Sequence, residues 1–263
     1  MTDPRGETTA GPTSGADITA QVKEARRMAF GGYAADYHTA RPGWSDETVR
    51  WMLGDPTEPV DVLDLGCGTG KGTLSLVGLG HRVIGVDPSA AMLEVLHAQP
   101  ELAEVPIHVA GAEAMPLADG SVDAITCFQA WHWVDPEVAG PECVRVCRPG
   151  GILGMAWHRP DRSVPWVVEL DRIAERTDMG KGGEPLAVAG FDPFQEREFA
   201  YRHTVSVDTL VATVASWSHV AISPRREKIL AAVRALGETV AASTAAGTVD
   251  FPYVTEAVRA RRS

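Results

Sequence analysis

Residues 64–73 read DLGCGTGKGT, and the chemistry open to them depends on where the lysine falls among the glycines. A phosphate loop needs glycine, four free residues and then Gly-Lys-Ser/Thr, because the lysine reaches the outer phosphates while the hydroxyl holds magnesium. Here Lys71 is followed by Gly72, Thr73 comes one residue late, and Leu65 stands where the first glycine belongs. The dinucleotide fingerprint Gly-x-Gly-x-x-Gly also fails, ending on Lys71 when counted from Gly66 and on Thr73 when counted from Gly68. What remains is a glycine-dense turn suited to a ligand that approaches bare backbone, or a tight turn and nothing more. About 20 residues beyond it, Asp87 ends the apolar run RVIGVD, placed either to accept a pair of hydroxyls or to cap the next helix. The stretch QAWHWVD (129–135) sets His132 between two tryptophans. That imidazole can hold a flat ligand or take its proton, or belong to a packed aromatic corner.

These residues need elements to position them. VDVLDL (60–65), RVIGVD (82–87), PIHVA (106–110), VDAITCF (122–128) and GILGMAW (151–157) read as five short apolar strands. Helices are expected at 45–53, between the first two strands, at 89–97 and near 136–147, the last stopped by Arg148-Pro149-Gly150-Gly151. Strands alternating with helices of this size specify a doubly wound α/β fold with parallel pairing and right-handed crossovers. After Trp157 the pattern becomes a helix over 163–177, a loop around KGGEPLAVAGFDP, a strand REFAYRHTV, two helices and a last strand TVDFPYV. Residues 1–20, rich in Thr, Gly, Pro and Ser, read as a disordered tail. Residues 21–263 read as one domain, with HRPDRS and the terminal ArgAlaArgArgSer as solvated surface.

With 263 residues, 44% of them hydrophobic, and a net charge of −11, the chain can bury a full core and repels nucleic acid, so small ligands are favoured. No apolar run is long enough to span a membrane, and no signal peptide opens the chain. The four cysteines form no Cys-x-x-Cys pair, which argues against a metal site and fits a reducing cytoplasm; Cys143 and Cys147 share a helix face and read as core. Arginine far outnumbers lysine, which fits a high-G+C, bacterial genome.

DLGCGTG closing strand one, VDPSAAML after strand two, AEAMPLADGSVDAI leading into strand four and RPGGIL before strand five, in that order, resemble the class I S-adenosylmethionine-dependent methyltransferases. YAADYHTARPGW and FQAWHWVD bring the chain nearest to the small-molecule type 11 group, which includes trans-aconitate methyltransferase-like proteins. The resemblance implies a Rossmann-like seven-stranded sheet of order 3-2-1-4-5-7-6 with strand seven antiparallel. It also implies a lid from about residue 28 to 44, a helical substrate cap with the last strands over 158–263, and S-adenosyl-L-methionine across the carboxyl ends of strands one and two.

That cofactor carries an ammonium, a carboxylate, a ribose diol, an adenine and a sulfonium, so it calls for acceptors and open backbone. Gly66, Cys67, Gly68 and Gly70 would meet its amino-acid end, with the following helix turning amide donors to the carboxylate and Asp64 ordering the loop. Asp87 would take the ribose, while Pro88 and Met92 cover the adenine, although Met92 also fits a core position. Where many relatives place an aspartate for the adenine amino group this chain has Gly111, which leaves Ala112 by its amide or Glu113 by its carboxylate. Gln129 is expected to face the cofactor. Tyr33, Tyr37 and Arg41 belong to the lid or to an ordinary surface helix; Trp133 would flank the acceptor, Trp157 and His158 would form its far wall or plug the sheet edge, and His132 is the candidate base. Methyl transfer needs mainly alignment, so a Ser-His-Asp signature is not expected. A non-catalytic cofactor-binding protein and a cofactor-assisted cyclase or isomerase are the rival readings.

Overall fold

The computed structural model describes residues 38, 40–176 and 186–263. Seven strands form one sheet in the order β3-β2-β1-β4-β5-β7-β6, with β1 Asp61–Leu65, β2 Arg82–Asp87, β3 Ile107–Val109, β4 Val122–Phe128, β5 Cys147–Pro160, β6 Gln195–Val205 and β7 Val249–Arg261. β1 to β5 pair in parallel, while β7 runs antiparallel to both β5 and β6. The strand order reverses at β1, with β2 and β3 to one side and β4 and β5 to the other, which opens a crevice at the carboxyl ends.

Helix α1 (Asp46–Met52) starts where the sequence places it, because Ser45 accepts from Thr48 N and two acids follow in the first turn. The next helices are α2 (Lys71–Gly78), α3 (Ala90–His97, capped by Ser89) and α4 (Pro136–Val146, capped by Asp135). Alternate β1 residues feed opposite cores. Val62 joins Val49, Met52 and Leu76 on one face, and Leu63 joins Ile125, Leu153 and Cys143 on the other. Both faces are covered, as parallel sheets require. A third cluster, with Leu170, Leu210, Val233 and Phe251, lies under α5 (Pro165–Ile173), α6 (Val207–Ala215), α7 (Ser218–Ala221) and α8 (Arg226–Ala241).

Several boundaries differ from the sequence reading. β5 begins at Cys147, four residues early, and runs on through His158 to Pro160. HRPDRS is therefore not simply solvated surface: His158 and Pro160 are buried, and Arg162 pairs with the buried Asp171 at 2.6 Å. β7 continues to Arg261, so the terminal ArgAlaArgArg lies largely in the sheet. Its polarity hides a strand whose charges alternate outward, with Arg259 over the Trp51 ring at 4.5 Å and bonded to Trp51 O. Three helices, rather than two, separate β6 from β7. The RPGG motif acts as a tie, because the Arg148 guanidinium bonds Asp61, Asp123 and Ser121 O and so joins the start of β5 to β1 and β4. The tail 1–20, with Tyr33, Tyr37 and most of the 28–44 segment, lies outside the described residues. No described helix is long and apolar enough to cross a membrane.

Candidate active site

The glycine loop is hung from β2. Gly66 N and Cys67 N both donate to Val86 O, at 2.7 and 3.2 Å. Gly66, Gly68 and Gly70 adopt φ of +70°, +52° and +87°, a left-handed course that side-chain-bearing residues rarely follow. A Cβ on Gly66 would lie 2.6 Å from Ala130 Cβ, whereas one on Gly68 would meet nothing within 4 Å among the described residues. Gly66 thus lets the turn after β4 close in, while no described residue crowds Gly68, so a ligand can touch backbone there. Gly70 begins α2 without a side-chain cap, which leaves the amide end of that helix suited to a carboxylate.

Beneath the loop Asp64 is fully buried and accepts from Thr73 Oγ1 at 2.7 Å, tying the end of β1 to the first turn of α2. Burial pushes its carboxyl up to about 7, with the nearby Asp87 charge adding to the shift. The buried Cys67 thiol is likewise pushed up, chiefly by burial, and is inert at neutral pH.

Asp87 serves the loop directly. Oδ2 accepts from Gly68 N at 2.9 Å and Oδ1 from Ser89 N at 2.8 Å. Ala110 N donates to Asp87 O at 3.2 Å, which brings residues 110–113 beside the aspartate. There Ala112 and Met92 are buried while Pro88 and Glu113 are exposed. Glu113 Oε2 folds over Gly111, against the place a Cβ would take. A carboxylate thus lies beside position 111, carried by the residue two along.

At the end of β4, Gln129 takes φ of +56°, a costly conformation for a non-glycine residue and one that collects at functional sites. Its Nε2 donates to His158 O at 3.2 Å, so the side chain leans toward β5. Trp131, His132 and Trp133 form a short 3-10 turn in which Trp131 is buried, His132 exposed, and the His132 ring tilted at 4.8 Å from Trp133. Trp157 is half-buried and packs on the core beneath.

Of the wall opposite, the sequence marks His158 only as a residue ending strand five. Trp44 stacks on His158 at 4.0 Å, and His158 in turn stacks on Tyr201 at 4.8 Å. His158 Nε2 lies 2.9 Å from Gly43 O and Nδ1 lies 2.8 Å from Thr255 Oγ1. A carbonyl only accepts, so Nε2 carries the proton and the ring is neutral; burial holds its pKa down at about 4. Arg41 Nη2 donates to Ser216 O and Thr213 Oγ1 to Ala40 O, which fastens residues 40–44 to α6 and its end. His38 Nδ1 lies 3.2 Å from Thr69 Oγ1 of the glycine loop. Lys71 is half-buried, and burial lowers its amine pKa.

A loop of bare backbone, an uncapped helix end, an acid at the tip of β2 and apolar cover beside it fit an amino-acid-bearing adenosine. Residues 63–155 match the type 11 methyltransferase family, described as a methyltransferase domain. With this sheet order and this site, the chain belongs to the class I S-adenosylmethionine-dependent methyltransferases. It is 40% identical to an uncharacterized methyltransferase of Mycobacterium tuberculosis (strain ATCC 25618 / H37Rv), over 89% of this chain and 95% of that one. A second relative, an uncharacterized methyltransferase of Schizosaccharomyces pombe, is 31% identical over 85% and 92%. Among solved structures, a putative type II methyltransferase from Anaeromyxobacter dehalogenans is similar with a TM-score of 0.58 and 25% identity, covering 84% of this chain and 96% of that one.

Proposed function

We propose that this methyltransferase acts on a small-molecule acceptor held between the end of β4, at His132 and Trp133, and the elements from residue 158 onward. The observation that carries this reading is the space at Gly68 that no described residue fills, with Asp87 bonded to Gly68 N and Ala130 of the turn after β4 against the neighbouring Gly66. When bound, S-adenosylmethionine supplies an electrophilic methyl on a sulfonium. The chain's own part is alignment: amides of the glycine loop and α2 take the amino-acid end, Asp87 takes the ribose, and Met92, Ala112 and Glu113 take the adenine. Holding two reactants at attack distance can remove on the order of 7 kcal/mol of barrier without a protein nucleophile. His132, exposed and backed by Trp133, is placed to meet the acceptor from the β4 side. A net charge of −11 gives nucleic acid little attraction, and four unpaired buried thiols suit the cytoplasm. The likeness to trans-aconitate methyltransferase-like proteins belongs to this proposal as well.

The test is transfer of labelled methyl to a panel of phenols, alcohols, amines and carboxylic acids, with DNA and RNA run beside them. Labelled small-molecule product supports the reading. Label on nucleic acid in preference to every small molecule would reject it.

A further inference from the structure

Beyond the residues already placed, the cleft holds one more imidazole. His203 lies on β6 two residues past Tyr201, hence on the same sheet face and about 7 Å further along the strand. Tyr201 shows where that face looks, because its ring stacks on His158 and its hydroxyl reaches Gly43. His203 therefore sits past the Trp44–His158–Tyr201 wall, level with the carboxyl ends of the sheet. Lys71, directly after the glycine loop, acts on both His203 and His38 by its charge, and His158 feels His203 in the same way. The groups that act on His203 or feel it thus come from α2 and β5.

Nε2 of His203 is sealed from solvent and has no hydrogen-bond partner among the described residues. Burial and the Lys71 charge hold the ring below its ordinary pKa, so it is neutral at pH 7 with one nitrogen a donor and the other an acceptor. Whichever role Nε2 has, a bond is left unmade, and an unmade buried bond costs stability. His81 Nε2 is also unbonded. It lies at the amino edge of the sheet, where Val60 N bonds its other nitrogen, far from the crevice.

We propose that His203 contacts the methyl acceptor, its Nε2 lone pair taking the hydrogen of a hydroxyl or amine in the cleft. The acceptor is then a neutral protic nucleophile. As its oxygen or nitrogen bonds the methyl carbon, the carbon–sulfur bond breaks with its electron pair going to sulfur, and the released proton passes to Nε2. The positive charge of the cleft is conserved, since the imidazolium replaces the charge lost at sulfur, and water then removes the proton. This assignment rests on the methyl-transfer reading above and gives the proton acceptor's part to His203 in place of His132.

The experiment is histidine-labelled NMR on the wild-type protein with S-adenosylhomocysteine as the probe, its binding measured separately by calorimetry. Binding is expected to move the His203 Cε1–Hε1 resonance, assigned by its loss in His203→Leu, while the His81 resonance stays in place. His203→Leu is expected to keep the S-adenosylhomocysteine Kd within about twofold and to melt at the same temperature or higher. Both it and His203→Gln should lower kcat by about 10²-fold on the hydroxyl or amine acceptor found in the panel. A His203 resonance unmoved at saturation, a melting temperature lowered in both variants, a tenfold weaker Kd, or methylation of carboxylic acids alone would overturn the proposal. Failure of S-adenosylhomocysteine to bind at all would instead sink the cofactor reading.

Discussion

Replacing Asp87 by alanine should damage the fold and the cofactor site together, and the two losses can be separated. Its carboxylate accepts two backbone amides, Gly68 N at 2.9 Å and Ser89 N at 2.8 Å, and the residue is only 9% exposed. Hydrogen bonds to a charged group are worth about 1.5 kcal/mol each at the lower end, so about 3 kcal/mol of folding stability is at stake. For a chain of this size that corresponds to roughly 6–12 °C in Tm. Losing the ribose contacts costs S-adenosylhomocysteine affinity roughly another 2 kcal/mol, about 30-fold in Kd. Asp87→Asn keeps one acceptor oxygen and should recover about half of the stability loss. The assays are thermal melts of the three proteins and calorimetric titration with S-adenosylhomocysteine. An unchanged Tm in Asp87→Ala would refute the claim that this side chain holds the loop; an unchanged Kd would refute the ribose assignment.

Asp64→Asn should flatten the pH dependence of stability. The folded carboxyl, raised from 3.8 to about 7, holds a proton that the unfolded chain has lost, so its contribution is full below about pH 4 and declines as pH rises toward 7. The ceiling is roughly 4 kcal/mol, read as the difference between wild-type and variant melts across that range. His158, lowered to about 4, contributes with the opposite sign as pH falls from about 6.5, which is why the difference and not the raw curve is the measurement. Gly66→Ala should cost about 2 kcal/mol or more and weaken S-adenosylhomocysteine binding, because its φ is +70° and its Cβ would strike Ala130; an equal Tm and Kd would contradict the loop geometry. His132→Ala should lower turnover by less than about tenfold and leave the Kd unchanged if His203 takes the acceptor's proton, whereas a drop of about 10²-fold confined to un-ionised acceptors would return that role to His132.

How far the sequence carried the fold follows from where its signals are local. VDAITCF marks β4 at both ends, and Ser45 with Thr48 marks the start of α1, because runs of apolar residues and helix caps act over a few positions. β5 and β7 outran their apolar runs because HRPDRS and the terminal ArgAlaArgArg, with their arginines, read as surface. In the sheet those arginines find partners across strands, as Arg159 does with Glu256 at 2.7 Å. The glycine loop and Asp87 were legible as chemistry, since their spacing fixes a strand, a turn and a strand tip. That Asp87 bonds the loop's own amides was not, and neither was the turn of Gln129 toward β5. Of the Trp44–His158–Tyr201 wall the sequence marks Trp44 only as the end of the lid segment and His158 only as the end of strand five; Tyr201 and His203 carry no signal. His158 bonds a carbonyl 115 residues away, and only the packed sheet brings β6 to the crevice.

The central claim, that the cofactor lies across the carboxyl ends of β1 and β2 with its methyl toward the β4 turn, is tested most directly by a crystal structure with S-adenosylhomocysteine. The account predicts the ribose hydroxyls within hydrogen-bond reach of Asp87, the adenine against Met92 and Ala112 with Glu113 at its rim, and the amino-acid end on the Gly66–Gly70 backbone. Its sulfur should face the space between His132 and His203. A ligand seated away from Asp87, or a sulfur turned from that space, would contradict it.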